Sequence, residues 1–198
     1  YMVSQAYQDG FYYKPRIDWS LLKEYNEGII AMSACLGGEV PQLILKGKVD
    51  DAKRRAEEIS QIFDNERLYL ELQENFIPEQ RIANDALIDI ARQTGLPLVA
   101  TNDCHYLSQG DHEHHEALLC IGTGSTLEDP NHFKFDGQGF YLKSGDEMAE
   151  VFRDHPSALA NSLEIAERCA PDLGTHTGES HRPAFPFPAR TPKTEVPE

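Results

Sequence analysis

Leu96-Pro97-Leu98-Val99-Ala100-Thr101-Asn102-Asp103-Cys104-His105 reads as a buried strand that delivers two polar side chains at its end. LPLVAT is a short apolar run, and Gly95 and Pro97 signal the stop of a preceding helix. Two comparable runs lie upstream. Arg67–Gln73, RLYLELQ, alternates Leu68, Leu70 and Leu72 with Tyr69, Glu71 and Gln73, the two-residue period of a strand. Glu27–Cys35, EGIIAMSAC, is apolar, ends in small residues and leads into the turn Gly37-Gly38. Between these runs the period changes. Lys48–Phe63 places Val49, Ala52, Ala56, Ile59 and Phe63 on one helical face, and the segment after Pro78 does so with Ile82, Ala86, Leu87, Ile90 and Ala91. Strands alternating with helices of this length predict an α/β fold of parallel βαβ units with right-handed crossovers.

Beyond the third run, Asp111–Ile121 reads as a helix ending at Gly122-Thr123-Gly124, and Gly139–Lys143 as a brief strand. Ser144-Gly145-Asp146-Glu147 matches a capping box with Ser144 as N-cap of a helix over Asp146–Arg153, and another helix is predicted over Pro156–Cys169. Six of the twelve prolines fall within residues 171–198, a composition that buries little surface. One domain over residues 1–170 and a Pro-rich linker or tail over 171–198 are therefore expected.

The chain has 198 residues, of which 40% are hydrophobic, enough for a core. Lys and Arg total 18 against 33 Asp and Glu, a formal charge of −15 that opposes any broad grip on a phosphate backbone. A bound dication would reverse that sign locally. The cysteines at 35, 104, 120 and 169 form no CxxC pair and read as reduced thiols of a cytoplasmic protein. No run approaches the roughly 18 apolar residues of a membrane span. The opening residues lack the character of a signal peptide, and the missing initiator Met suggests a start within a longer protein.

In parallel α/β folds, functional groups gather at the carboxyl ends of the strands. The three runs end at Cys35, at Glu71 and Gln73, and at Asp103 and His105. Asp103 and His105 offer a hard oxygen and an imidazole nitrogen on one side of an extended backbone, so both can reach one ion. The plainer readings are a turn cap for Asp103, local hydrogen bonding for His105 and a small core hydrophobe for Cys35. Cys104 is expected to point away into packing. His112 and His115, on an acidic helix start with His114, read as a solvated face.

Several separated motifs carry a resemblance. GFYYKPRID at Gly10–Asp18, SACLGGE at Ser33–Glu39 and ATNDCHYL at Ala100–Leu107 occur in the order seen in one family. LCIGTG at Leu119–Gly124, FYLKS at Phe140–Ser144 and IAERC at Ile165–Cys169 follow. Together they resemble the latter part of the polymerase-and-histidinol-phosphatase (PHP) domain of the bacterial DNA polymerase III alpha subunit. The resemblance implies an incomplete distorted (βα)7 PHP-type barrel with parallel strands and a cluster of divalent metal ions, zinc or manganese, at the strands' carboxyl ends. Cys35 resembles the family's cysteine ligand, Asp103 and His105 its final Asp-x-His pair, and Glu71 should lie close to the site. The family's opening His-x-His segment and further ligands have no counterpart here. HRPAFPFP at His181–Pro188 resembles the crossing towards the polymerase palm, whose magnesium carboxylates this chain lacks.

The resemblance implies a part in chromosomal DNA replication by a DNA-directed DNA polymerase. The domain itself would be either a metal-dependent 3′-5′ exonuclease or a non-catalytic docking domain that braces the polymerase. Its implied partners are DNA, through the longer protein, a proofreading exonuclease subunit and other replicase subunits. A free-standing phosphatase of the same superfamily is the third reading, opposed by the FYYKPRID opening and the tail. By itself the chain is expected to bind metal weakly, to lack nuclease activity and to expose a sheet edge.

Overall fold

A computed structural model describes residues 1–64 and 66–169. The stretch 171–198, expected to be a linker or tail, lies outside the described residues. The elements follow in order: α1 (Met2–Gln8), α2 (Trp19–Glu24), β1 (Ala31–Met32), α3 (Glu39–Leu45), α4 (Val49–Ile62), β2 (Leu68–Leu72), α5 (Pro78–Thr94) and β3 (Leu98–Ala100). A 3-10 turn at Gln109–Asp111 then leads into α6 (His112–Thr123), followed by α7 (Gly145–Val151) and α8 (Pro156–Arg168).

The three strands form one parallel sheet in the order β1-β2-β3, with Ala31 opposite Leu68 and Leu70, Glu71 and Leu72 opposite Leu98, Val99 and Ala100. This is the α/β architecture expected of an incomplete PHP-type barrel. As the central strand, β2 is covered on both faces, and Leu68, Tyr69, Leu70 and Leu72 are all buried. Around it pack Val40 and Ile44 of α3, Ala52 and Ala56 of α4, Leu87 and Ile90 of α5, and Ala158 of α8. The edge of β3 is covered by α8, whose Asn161 side-chain amide donates to the Leu98 carbonyl at 2.7 Å.

The periodic helices form close to where their apolar spacing puts them. α5 opens with Pro78 in its first turn and closes on Gly95 at φ 75°, a left-handed cap that glycine adopts without strain. Ser144 caps α7 as expected: its hydroxyl accepts the Glu147 N–H, and the Glu147 carboxylate accepts the Ser144 N–H.

Three expectations are corrected, and three short helices come in addition. The first strand is two residues long instead of spanning Glu27–Cys35. After the Ser33 N–H donates to the Tyr69 carbonyl, the Ser33 hydroxyl accepts the Glu71 N–H, and Ala34 turns to φ 65°, so the ladder stops. Ile82 is 56% exposed; burial of Gln80 against Asn84 rotates α5 so that Ala83, Leu87, Ile90 and Ala91 face the core. Gly139–Lys143 makes a single parallel bridge, Tyr106 to Tyr141, and no strand. Finally, the short helices α1, α2 and α3 carry too few turns for a readable period; α2 is held by Asp18, whose carboxylate accepts the Leu21 N–H at 2.8 Å.

Candidate metal centre

Parallel pairing brings the ends of β2 and β3 to one rim. The Thr101 N–H donates to the Leu72 carbonyl at 3.0 Å, and the chain then leaves the sheet through Asn102, Asp103, Cys104 and His105. At this exit Asp103 Oδ1 lies 3.2 Å from His105 Nε2, with both side chains half-buried. Two donors on one tetrahedral ion, with bonds of about 2.0–2.2 Å, sit roughly 3.3 Å apart. The pair therefore fits one edge of a metal's coordination shell.

Cys35 is half-buried in the turn beyond β1, where its carbonyl accepts the Gly38 N–H at 2.8 Å, and its thiol is free of disulfide. Among the described residues no three His, Cys, Asp or Glu side chains are gathered so as to hold one metal ion. The structure thus joins Asp103 to His105 and leaves Cys35 outside any such group. Glu71 lies at the rim but is already engaged: the Thr101 hydroxyl and the Gln73 amide, the latter at 3.0 Å, both donate to its Oε1.

The surroundings of His105 are aromatic. Its ring meets Phe135 edge-on at a centroid distance of 4.6 Å and lies 5.7 Å from Phe140 and 5.6 Å from His115. His115 is accordingly not a solvated residue. It is half-buried against His105, Tyr106 and Phe135, and burial, followed by His105, holds its imidazole below the usual histidine pKa. His114 does face solvent, whereas the His112 ring meets the Gln109 carbonyl at 3.1 Å. Cys104 also departs from expectation, since the residue is exposed. Its Sγ nonetheless rests 3.9 Å from the Tyr141 carbonyl, and the local desolvation raises its thiol pKa.

Residues 1–75 match the family model of the PHP domain. A DNA polymerase III subunit alpha of Borreliella burgdorferi is 44% identical over 85% of this chain and 15% of its own length. That of Thermus aquaticus is 42% identical over 94% of this chain and 16% of its own length. The chain is a PHP-domain segment of the DNA polymerase III alpha subunit family. A Mycobacterium tuberculosis member is 40% identical over 87% of this chain, again matching 15% of the relative. The chain thus spans about one-seventh of the length of these alpha subunits. No helix among the described residues is long and apolar enough to cross a membrane.

Near the PHP rim one residue was misread from the sequence as solvated and a second escaped reading. His115 sits three positions after His112, a spacing that also fits one exposed helix face, so only tertiary packing distinguishes it. Lys143 is 7% exposed, and the single hint is a cation set in the apolar run Phe140–Leu142. Burial of its ammonium lowers its pKa.

Proposed function

We propose that this chain acts in DNA replication as part of the PHP domain of a cytoplasmic DNA polymerase III alpha subunit, a DNA-directed DNA polymerase whose magnesium site lies elsewhere. In this reading Asp103 and His105, with Cys35, supply ligands to a divalent zinc or manganese site whose other donors come from outside the chain. The 3.2 Å approach of Asp103 Oδ1 to His105 Nε2 at the strands' carboxyl rim carries it.

A bound dication there would activate water and offset charge on a phosphodiester, the chemistry of a 3′-5′ exonuclease. The chain's own part is to present donors. Asp103 offers an anionic oxygen, and His105 must offer Nε2 unprotonated. The aromatic wall of Phe135, Phe140 and His115 limits the freedom of the His105 ring. Partners in this reading are DNA and the other replicase subunits.

A docking role, in which the domain braces the polymerase and receives a separate exonuclease subunit, is the second reading. The net charge of −15, which opposes a broad grip on a phosphate backbone, favours it. The full-length polymerase, incubated with manganese or zinc and a 3′-labelled single strand, separates the two. Metal-dependent release of the terminal nucleotide, abolished by Asp103→Ala, supports the exonuclease. Release that is absent, or indifferent to Asp103→Ala, supports docking.

A further inference from the structure

Lys143 combines three properties that rarely coincide: it is cationic, 7% exposed, and without a carboxylate in ion-pair reach among the described residues. A buried charge lacking a counterion is costly, so its remaining contacts must hold it. Its Nζ donates to Asn102 Oδ1 at 3.1 Å and to the Gly139 carbonyl. The faces of Tyr141 and Phe76 lie 4.7 and 5.5 Å away.

Those contacts converge on the strand exit that carries Asp103. Asn102 is bound twice by the Gly139–Lys143 segment, since its Nδ2 also donates to the Tyr141 carbonyl at 2.8 Å. Three residues later the His105 N–H donates to the Phe140 carbonyl at 2.8 Å. Asp103 and Cys104 are thus bracketed by anchors to one short segment. That segment is itself seated firmly, because a Cβ at Gly139 would fall 2.6 Å from the Asn75 carbonyl oxygen.

We propose that Lys143 is a positioning residue: through Asn102 it fixes the backbone that sets Asp103 against His105. The proposal rests on reading that pair as metal ligands. Ammonium and amide act as one unit. Losing the ammonium leaves Asn102 its Tyr141 bond alone, losing the amide removes both bonds beside Asp103, and the wall around the His105 ring remains in either case.

The test follows the histidine ring nitrogens of the full-length polymerase by NMR during titration with zinc, with the His105 signal assigned by its loss in His105→Gln. Lys143→Met and Asn102→Ala are each expected to weaken the zinc response of His105 about tenfold, the scale typical of groups that orient a ligand. The double variant should be no weaker than Asn102→Ala. Ser144→Ala, which removes the cap of α7, should lower the melting temperature without changing the zinc response. Should Lys143→Met fail to fold, Asn102→Ala decides alone, because it keeps the ammonium on Gly139. A normal His105 response in the variants that fold overturns the positioning role and leaves the ligand reading intact. Additive losses in the double variant, or an equal loss in Ser144→Ala, also overturn it. No zinc response of His105 in the unmodified full-length polymerase overturns the ligand reading, and this proposal with it.

Discussion

Arg168 donates from Nη1 to the Tyr69 hydroxyl at 2.7 Å, and Tyr69 in turn donates to Glu164 Oε1 at 3.2 Å. This relay ties the last described helix, α8, to the central strand, with a further bond from Arg168 to the Glu66 carbonyl at 3.2 Å. Tyr69 is 2% exposed, and burial raises its pKa. Tyr69→Phe keeps the ring and deletes the relay. It should cost about 1 kcal/mol and lower the melting temperature by roughly 2–4 °C in a thermal melt.

The rotation of α5 is open to a paired test. Leu87, fully buried, and Ile82, 56% exposed, lie on the same helix. Leu87→Ala should destabilise by about 2–5 kcal/mol through lost contacts and a cavity, whereas Ile82→Ala should change stability by about 0.5 kcal/mol or less. Urea titration of both variants measures the difference.

Glycine at 139 answers to space and not to backbone freedom. Gly139→Ala forces a Cβ against the Asn75 backbone at 2.6–2.7 Å, where neither side is a flexible side chain. A loss of about 1–3 kcal/mol is expected. At Gly145, in the first turn of α7, an added methyl group would meet nothing within 4 Å, so Gly145→Ala should be neutral or mildly stabilising in the same assay.

The ring of His132 links the loop after α6 back to that helix: Nδ1 meets the Asp129 carbonyl and Nε2 meets Glu116 Oε1, each at 2.5 Å. These two partners, in that order, raise its pKa above the ordinary 6.5. Folding therefore favours the protonated ring. The contribution is complete below the unfolded value and is lost as pH rises through the higher folded one. Glu116→Gln should lower the melting temperature more at about pH 5.5 than at about pH 9, above the ordinary histidine range. An equal drop at both pH values would refute the linkage.

Much of the PHP segment was legible because its signals are local. A strand's alternation, the helical spacing in 48–63, the Gly95 stop and the Ser144 cap all act within a few residues, so RLYLELQ and the capping box read correctly. The same holds for Asp103 and His105, whose approach depends on two positions in one exit loop.

What the sequence by itself determined is thus the α/β alternation, the motifs that mark a DNA polymerase III alpha PHP segment and the adjacency of Asp103 and His105. Tertiary structure alone decided the two-residue length of β1, the face of α5, the seating of His115 on His105 and the burial of Lys143 on Asn102. Each of those depends on partners distant along the chain, as with the 41 positions separating Lys143 from Asn102. A local pattern cannot encode which distant surface covers a residue, and burial changes both the cost of a charge and the set of atoms able to satisfy it.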